Sequence, residues 1–208
     1  MSSDSQEVSE NWKTSFADLM SVLLVFFVIQ ISPQAIKSEK QKEDKKKLEQ
    51  AVATIKDYLN KRNIKEDIVL NVNGNQANIT LPEAFLFSSA SADLSYEQRR
   101  VLSGLIRKLK PLIGSHYIEI EGHTDSLPIN TKKFPSNWHL SSDRALEVLG
   151  VFVDLGFNQK HLSARGFGEF HPLLADKDEQ GRDIPYARYK NRRVSIEIKG
   201  LESFSFQK

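Results

Sequence analysis

Apolar and polar residues alternate along this chain with several different periods, each of which predicts a different element. From 16 to 31 the sequence FADLMSVLLVFFVIQI is apolar almost throughout, and its one formally charged residue is Asp18. Counting back to Trp12 gives 20 residues, about 30 Å of α-helix, which matches the hydrocarbon core of a bilayer. Pro33 is expected to end that run. The stretch 37–47, KSEKQKEDKKK, is polar throughout. Leu48, Val52, Ile55 and Leu59 then recur at spacings of 4, 3 and 4, a single apolar helical stripe. Such a stripe suits the seam of a short dimeric stalk or a face that docks on the following domain, two heptads being too few for an extended coiled coil.

From Ile68 the periods mix. The runs 68–72 and 77–81 alternate around Asn73-Gly74-Asn75 and predict a β-hairpin. Residues 95–113 carry Val101, Leu102, Leu105, Ile106, Leu109 and Leu112 at helical spacing, and 136–155 form a second such helix. The segments 117–121 (YIEIE), 162–168 and 193–199 (RVSIEIK) read as strands. The order ββ-α-β-α-β-β implies an α+β sandwich, a mixed sheet with helices on one face. The expected organisation is a tail over 1–11, a single transmembrane helix over 12–32, a helical linker over 33–66, the α/β domain over 67–200 and a C-terminal tail over 201–208.

Composition removes several function classes. With 29 Lys+Arg against 27 Asp+Glu the chain is close to neutral, so charge gives no reason to expect a nucleic-acid partner. It has no cysteine, hence no disulfide framework, thiolate metal site or cysteine nucleophile. The apolar run is a poor signal peptide, because residues 1–15 hold Asp4, Glu7 and Glu10 against Lys13 alone and no small-x-small site follows. Six Lys and three acids immediately after it are incompatible with the continuation of a buried core helix. By the positive-inside rule that imbalance places the C-terminal part in the cytoplasm.

Candidate chemistry concentrates at two places. A carboxylate inside a spanning helix costs about 2.5–3.5 kcal/mol on insertion scales, so Asp18 faces a partner or a water path unless it snorkels to the interface near Trp12. A site that loads and unloads a cation at Asp18 would need an oligomer and a separate channel-forming partner. In the domain, His123-Thr124-Asp125 follows a strand, and Asn137, Ser141 and Arg144 open the next helix. Asp125 and Arg144 brought together would suit a zwitterion, the carboxylate taking its ammonium and the guanidinium its carboxylate. An Asp125–Arg144 salt bridge with Asn137 as N-cap is the structural alternative. His123 reads as an ordinary exposed histidine, and Asn191-Arg192-Arg193 as solvated or internally paired. No nucleophile elbow or ligand-spaced metal cluster occurs, so neither catalysis nor a metal site is expected.

The stretches GHTDS (122–126), NWHLSSDRALEVLGVF (137–152), SARGFGEFHP (163–172) and NRRVSIEI (191–198) resemble the OmpA-like peptidoglycan-binding domain. Its pattern Asn-x-x-Leu-Ser-x-x-Arg-Ala-x-x-Val is matched from Asn137 to Val148, and LPEAFLFSSASADLS resembles its entry segment. The N-terminal W-x-x-x-F-A-D-L-M-x-x-L-L-x-F-F resembles the membrane anchor of flagellar stator B subunits, MotB and PomB. This resemblance implies that Asp18 is the ion-carrying aspartate and that Asp125 and Arg144 hold the diaminopimelate residue of a peptidoglycan stem peptide. Asn137 and Leu140 match framework positions of the same binding motif. It further implies a homodimer within a pentamer of a MotA-like multi-pass subunit, no bound cofactor, and H+ or Na+ as the transported cation. Phe16 before Ala17-Asp18 is more similar to sodium-driven relatives. The implied location is the inner membrane, single-pass, with a cytoplasmic N-terminus and a periplasmic domain, opposite to the lysine count. The segment 33–66 corresponds to the family's linker and plug. The same architecture serves the B subunit of Zorya-type antiphage motors, and a passive membrane-to-peptidoglycan tether is the remaining alternative.

Overall fold

The computed structural model describes residues 4–62, 64, 67–74 and 76–200; the expected tail 201–208 and the first three residues lie outside them. Two compact units are present, Met1–Glu43 and Asp44–Lys208. Helix α1, Asp4–Lys61, contributes to both. In the first unit, Trp12–Ile29 has a mean hydropathy of 1.7 and is the one segment among the described residues long and apolar enough to cross a membrane. Its large apolar side chains are exposed all round the helix, a surface that requires lipid or protein cover. Pro33 does not end the helix, contrary to expectation. A proline removes one backbone donor from the ladder, and the many remaining turns of α1 hold the helix through it.

In the second unit the stripe on the last part of α1 is docked. Leu48, Ala51, Ile55, Tyr58 and Leu59 are buried in the domain's main apolar cluster, Val52 is half-buried, and the Tyr58 hydroxyl donates to the Val101 carbonyl at 3.0 Å. The compact unit therefore begins at Asp44 rather than at 67. The 4-3-4 spacing that could have formed a dimer seam instead buries its stripe against the chain's own core.

The sheet contains β1 (Val69–Asn73), β2 (Gln76–Pro82), β3 (Tyr117–His123), β4 (Leu162–Gly166) and β5 (Arg193–Lys199), in the order β1-β2-β5-β3-β4. All neighbours are antiparallel except β3 and β4. A parallel pair needs a long crossover, and α4, Asn137–Asp154, supplies it. Register aligns Ile118 with Ile198, Ile120 with Ile196 and Gly122 with Val194, so the apolar residues of alternating strands share one face. Buried residues of α3 (Tyr96–Ile113), α4 and the end of α1 join them in the core. On the alternate strand positions, Glu119, Glu121 and Glu197 stand together. Arg165 reaches Glu119 at 2.6 Å and Lys199 reaches Glu197 at 2.6 Å, so two of the three carboxylates already have cationic partners.

Two short helices complete the domain, α2 (Glu83–Leu86) and α5 (Pro185–Asn191). Helix α4 lies hard against the strands. A Cβ at Gly122 would come within 2.0 Å of the Ser141 carbonyl oxygen, and one at Gly166 within 2.4 Å of the Ser142 backbone nitrogen. Only glycine permits that approach, which fixes the first turns of α4 over the C-terminal ends of β3 and β4.

Candidate functional site

Asn137, Leu140, Ser141, Arg144, Ala145 and Val148 recur at three- and four-residue intervals and are all buried, so they form the inward stripe of α4. The N-cap is Ser136 and Asn137 is the first helical residue. Asn137 instead pins the loop after β3, its amide nitrogen donating to the Leu127 carbonyl at 2.9 Å and the Asp125 carbonyl at 3.4 Å. Ser141 accepts from the Gly168 amide at 3.0 Å, and the Thr124 amide donates to the Gly168 carbonyl at 2.9 Å. This holds the turn after β4 beside the turn after β3.

A cleft of about 570 Å³ opens at this end of the sheet, lined among others by Glu83, Thr124, Asp125, Asn137, Leu140 and Arg144. Asp125 and Arg144 both line it, but they do not pair with each other. Asp125, only 7% exposed, receives Arg192 at 2.7 Å and Arg188 at 3.1 Å on one carboxylate oxygen. Arg144, 2% exposed, donates to Glu83 at 2.6 Å and to the Ser91 carbonyl at 2.9 Å, with its guanidinium over the Phe87 ring. Arg192 also contacts Glu83 at 2.8 Å, which links the two halves. The charges therefore alternate, Arg188, Asp125, Arg192, Glu83, Arg144. Burial pushes the Arg144 guanidinium below its usual range, opposed by Glu83.

Two separate families match the two parts of the chain. Residues 86–184 match the OmpA family, and residues 2–57 match the family described as membrane MotB of the proton-channel complex MotA/MotB. By these two matches the chain is similar to MotB-like proteins that carry an OmpA-family domain. Motility protein B of Bacillus subtilis is 30% identical over 156 residues, covering 74% of this chain and 57% of that relative. This MotB-like chain thus spans little more than half of that curated relative's length. The periplasmic domain of Helicobacter pylori MotB superposes with a TM-score of 0.56 at 25% identity, covering 66% of this chain and 84% of that one. The cell wall anchor of the T6SS from Pseudomonas aeruginosa gives 0.58 at 26% identity, covering 69% and 94%. The family is one of membrane-anchored proteins with a periplasmic domain, not of enzymes. The expected α+β architecture is that of the MotB periplasmic domains.

Sequence reasoning did not place Glu83, Arg188 or Arg192 in the site of this MotB-like protein. Glu83 follows Pro82 at the start of α2, and Arg188 lies within the short helix α5, in a segment without any motif. The Asn191-Arg192-Arg193 run was a usable signal, because three polar residues leading into a buried strand need internal partners. Asn191 caps the Leu173 and Leu174 amides, Arg192 enters the cleft, and Arg193 donates to the His171 carbonyl at 3.1 Å. Burial lowers the Arg193 pKa to about 10.

His123 is buried, at 3% exposure, rather than exposed as expected, and its ring stacks on Phe167 at 5.3 Å. Burial holds its pKa below the usual value against Glu121, 3.7 Å away. His116 behaves alike, with burial lowering its pKa against Asp44 at 3.9 Å. Both imidazoles are thus neutral in the fold while the unfolded chain protonates them near about pH 6.5. Their stabilisation is complete above that value and is lost as pH falls towards the folded-state pKa, at up to ~1.4 kcal/mol per pH unit for each histidine. The melting temperature is expected to drop between pH 7 and pH 5. The paired variant His116→Gln, His123→Gln should lose that dependence, and an equal drop in the variant would show that other groups carry it.

Proposed function

We propose that this chain is the ion-conducting, wall-anchored subunit of a rotary membrane motor, the flagellar motor being the machine it drives. The observation that carries the reading is the cleft of alternating charges built on the buried face of α4. Three guanidiniums and two carboxylates lie in one chain of ion pairs, so a ligand bearing both an ammonium and a carboxylate can enter by exchanging partners. Asp125 takes the ammonium of the diaminopimelate residue in a peptidoglycan stem peptide, and Arg144 takes its carboxylate. Arg188 and Arg192 re-pair with the other ligand oxygens, Asn137 keeps the 125–127 loop in place, and Leu140 forms the apolar wall. The wall-anchor and MotB relatives support this use of the fold.

At the other end, the membrane segment carries Asp18 as the group that loads the transported cation. A homodimer of this chain within a pentamer of a MotA-like subunit supplies the path, and the MotA/MotB wording of the matched family supports that partner. Lipid surrounds the assembly in the inner membrane, the N-terminus is cytoplasmic and the domain periplasmic. The cation is H+ or Na+, with Phe16 favouring Na+ and the family's proton-channel description favouring H+. The motility name of the Bacillus relative favours a flagellar over a Zorya-type machine.

Retention on isolated sacculi tests the wall-binding half. Asp125→Asn keeps the side-chain volume and removes the charge that selects an ammonium. Retention is expected to fall about tenfold or more, the loss of one charge-assisted contact of ~1.5–3 kcal/mol. Undiminished retention would leave Asp125 as a purely internal ion-pair partner.

A further inference from the structure

Beside the cleft, two large aromatic rings remain in water. Trp138 is 47% exposed and Phe170 60% exposed, yet their rings stack with centroids 5.2 Å apart and an interplanar angle of 21°. They come from different elements, the first turn of α4 and the turn after β4, so the pairing is set by the same close approach that builds the cleft.

The indole also lines a groove of about 360 Å³ together with Phe134, Leu146, Lys133, His139, Ser142 and Asp143. That lining is half apolar and half polar. It holds one cation and one anion, and Asp93 meets the Lys133 ammonium at 2.9 Å. Such a surface suits neither a strongly charged peptide nor an apolar helix. It suits a ligand that presents C–H faces and hydroxyl or amide edges in turn, as pyranose rings do. The negatively polarised face of an aromatic ring attracts the C–H face of a sugar, and the flanking polar groups hydrogen-bond its edges.

The groove and the cleft share a wall. Phe134, in the groove, packs with Leu140 and Ile129, which line the cleft, and Asn137 of the cleft is the residue before Trp138. In peptidoglycan the stem peptide is covalently joined to the sugar, and a few extended residues reach about 10 Å. We propose that Trp138 and Phe170 form a saccharide platform that holds the glycan strand while the neighbouring cleft holds the stem peptide. This rests on the wall-binding function proposed above.

The full chain in detergent, carrying Trp12→Phe, keeps Trp138 as its only indole, since the sequence has two tryptophans. Titration with peptide-free glycan strands, released from sacculi by an amidase, is expected to give a saturable shift in Trp138 emission. The same shift should persist with Asp125→Asn, because the strands carry no peptide. Phe170→Ala should weaken the interaction about tenfold, the worth of one aromatic stack, with an unchanged circular dichroism spectrum. Trp138→Phe should hold intact sacculi better than Trp138→Ala. Absence of any shift with glycan strands overturns the proposal. So does a shift that follows protein concentration without glycan, which would make the platform a contact with a second copy. Free stem peptide, added separately, reads the cleft alone, so a failure there sinks the wall-binding reading without mimicking a failure of the platform.

Discussion

Asp18→Asn is expected to abolish ion-driven rotation while leaving the protein in the membrane fraction and still retained on sacculi. The substitution keeps the shape of the side chain and removes its only ionisable group. Asparagine is also no harder to insert than an ionised carboxylate, which costs about 2.5–3.5 kcal/mol at the centre of a spanning helix, so insertion is not the step that fails. On the proposed function, what is lost is the charge that binds a cation on one side and releases it on the other. Each unit charge crossing 100 mV delivers about 2.3 kcal/mol, and without a carrier group none of that reaches the rotating ring. Tethered-cell rotation, scored alongside membrane fractionation and sacculus binding, checks the prediction. A variant that still rotates would remove Asp18 from the ion path, and a variant that no longer inserts would move its role to the anchor. Repeating the wild-type measurement with sodium replaced by potassium at fixed pH separates Na+ from H+ coupling.

Arg144→Ala is expected to be the most destabilising single change in the domain's site. The guanidinium is fully enclosed, donates to Glu83 and Ser91, and lies over Phe87. Removing it leaves Glu83 with Arg192 as its ion-pair partner, orphans the Ser91 carbonyl and opens a cavity under α4. Breaking a buried pair from one side costs about 3–5 kcal/mol, which for a unit of this size lowers the melting temperature by about 10 °C. Wall retention should fall with it. Arg144→Lys does not rescue, because a point charge cannot make both contacts and the stack at once. Urea unfolding of the full chain with a domain-specific probe distinguishes the outcomes. A variant as stable as the wild type that fails to bind would assign Arg144 to the ligand alone, and a variant that is stable and binds would remove it from both roles. By contrast Asp125→Asn leaves Arg188 paired with Asp183 and Arg192 paired with Glu83, so its effect should fall on binding far more than on stability.

These two residues differ in how far the sequence alone exposes them. Asp18 is conspicuous because it interrupts an apolar run, and no tertiary contact is needed to notice it. Asp125 and Arg144 are visible as polar residues at a strand end and on a helical face, and the motif from Asn137 to Val148 turns out to be one inward stripe of α4. Their partners are another matter. An Asp125–Arg144 bridge was the simple structural expectation, and the fold replaces it with Glu83 and two arginines that lie 61 or more positions away from the residues they contact. Periodicity reports which face of an element is buried, but it says nothing about which distant loop arrives at that face. The buried state of His123 was missed for the same reason, since Phe167 stacks on it from a turn more than 40 residues later, with His171 in turn against Phe167.

The sequence by itself determined the parts of this protein: one apolar segment with a single acid, an amphipathic helix, and strands and helices whose order requires a mixed sheet. Those features are local, set by spacing of 2 or 3.6 residues and by backbone propensity. The tertiary structure decided how the parts are used. It docked the stripe from Leu48 to Leu59 on the domain's own core, carried α1 through Pro33, and pressed α4 onto Gly122 and Gly166. It also assembled a ladder of alternating charges from four separate segments. Such choices depend on which surfaces bury the most apolar area and leave the fewest charges unpaired, and that comparison exists only once the chain has folded.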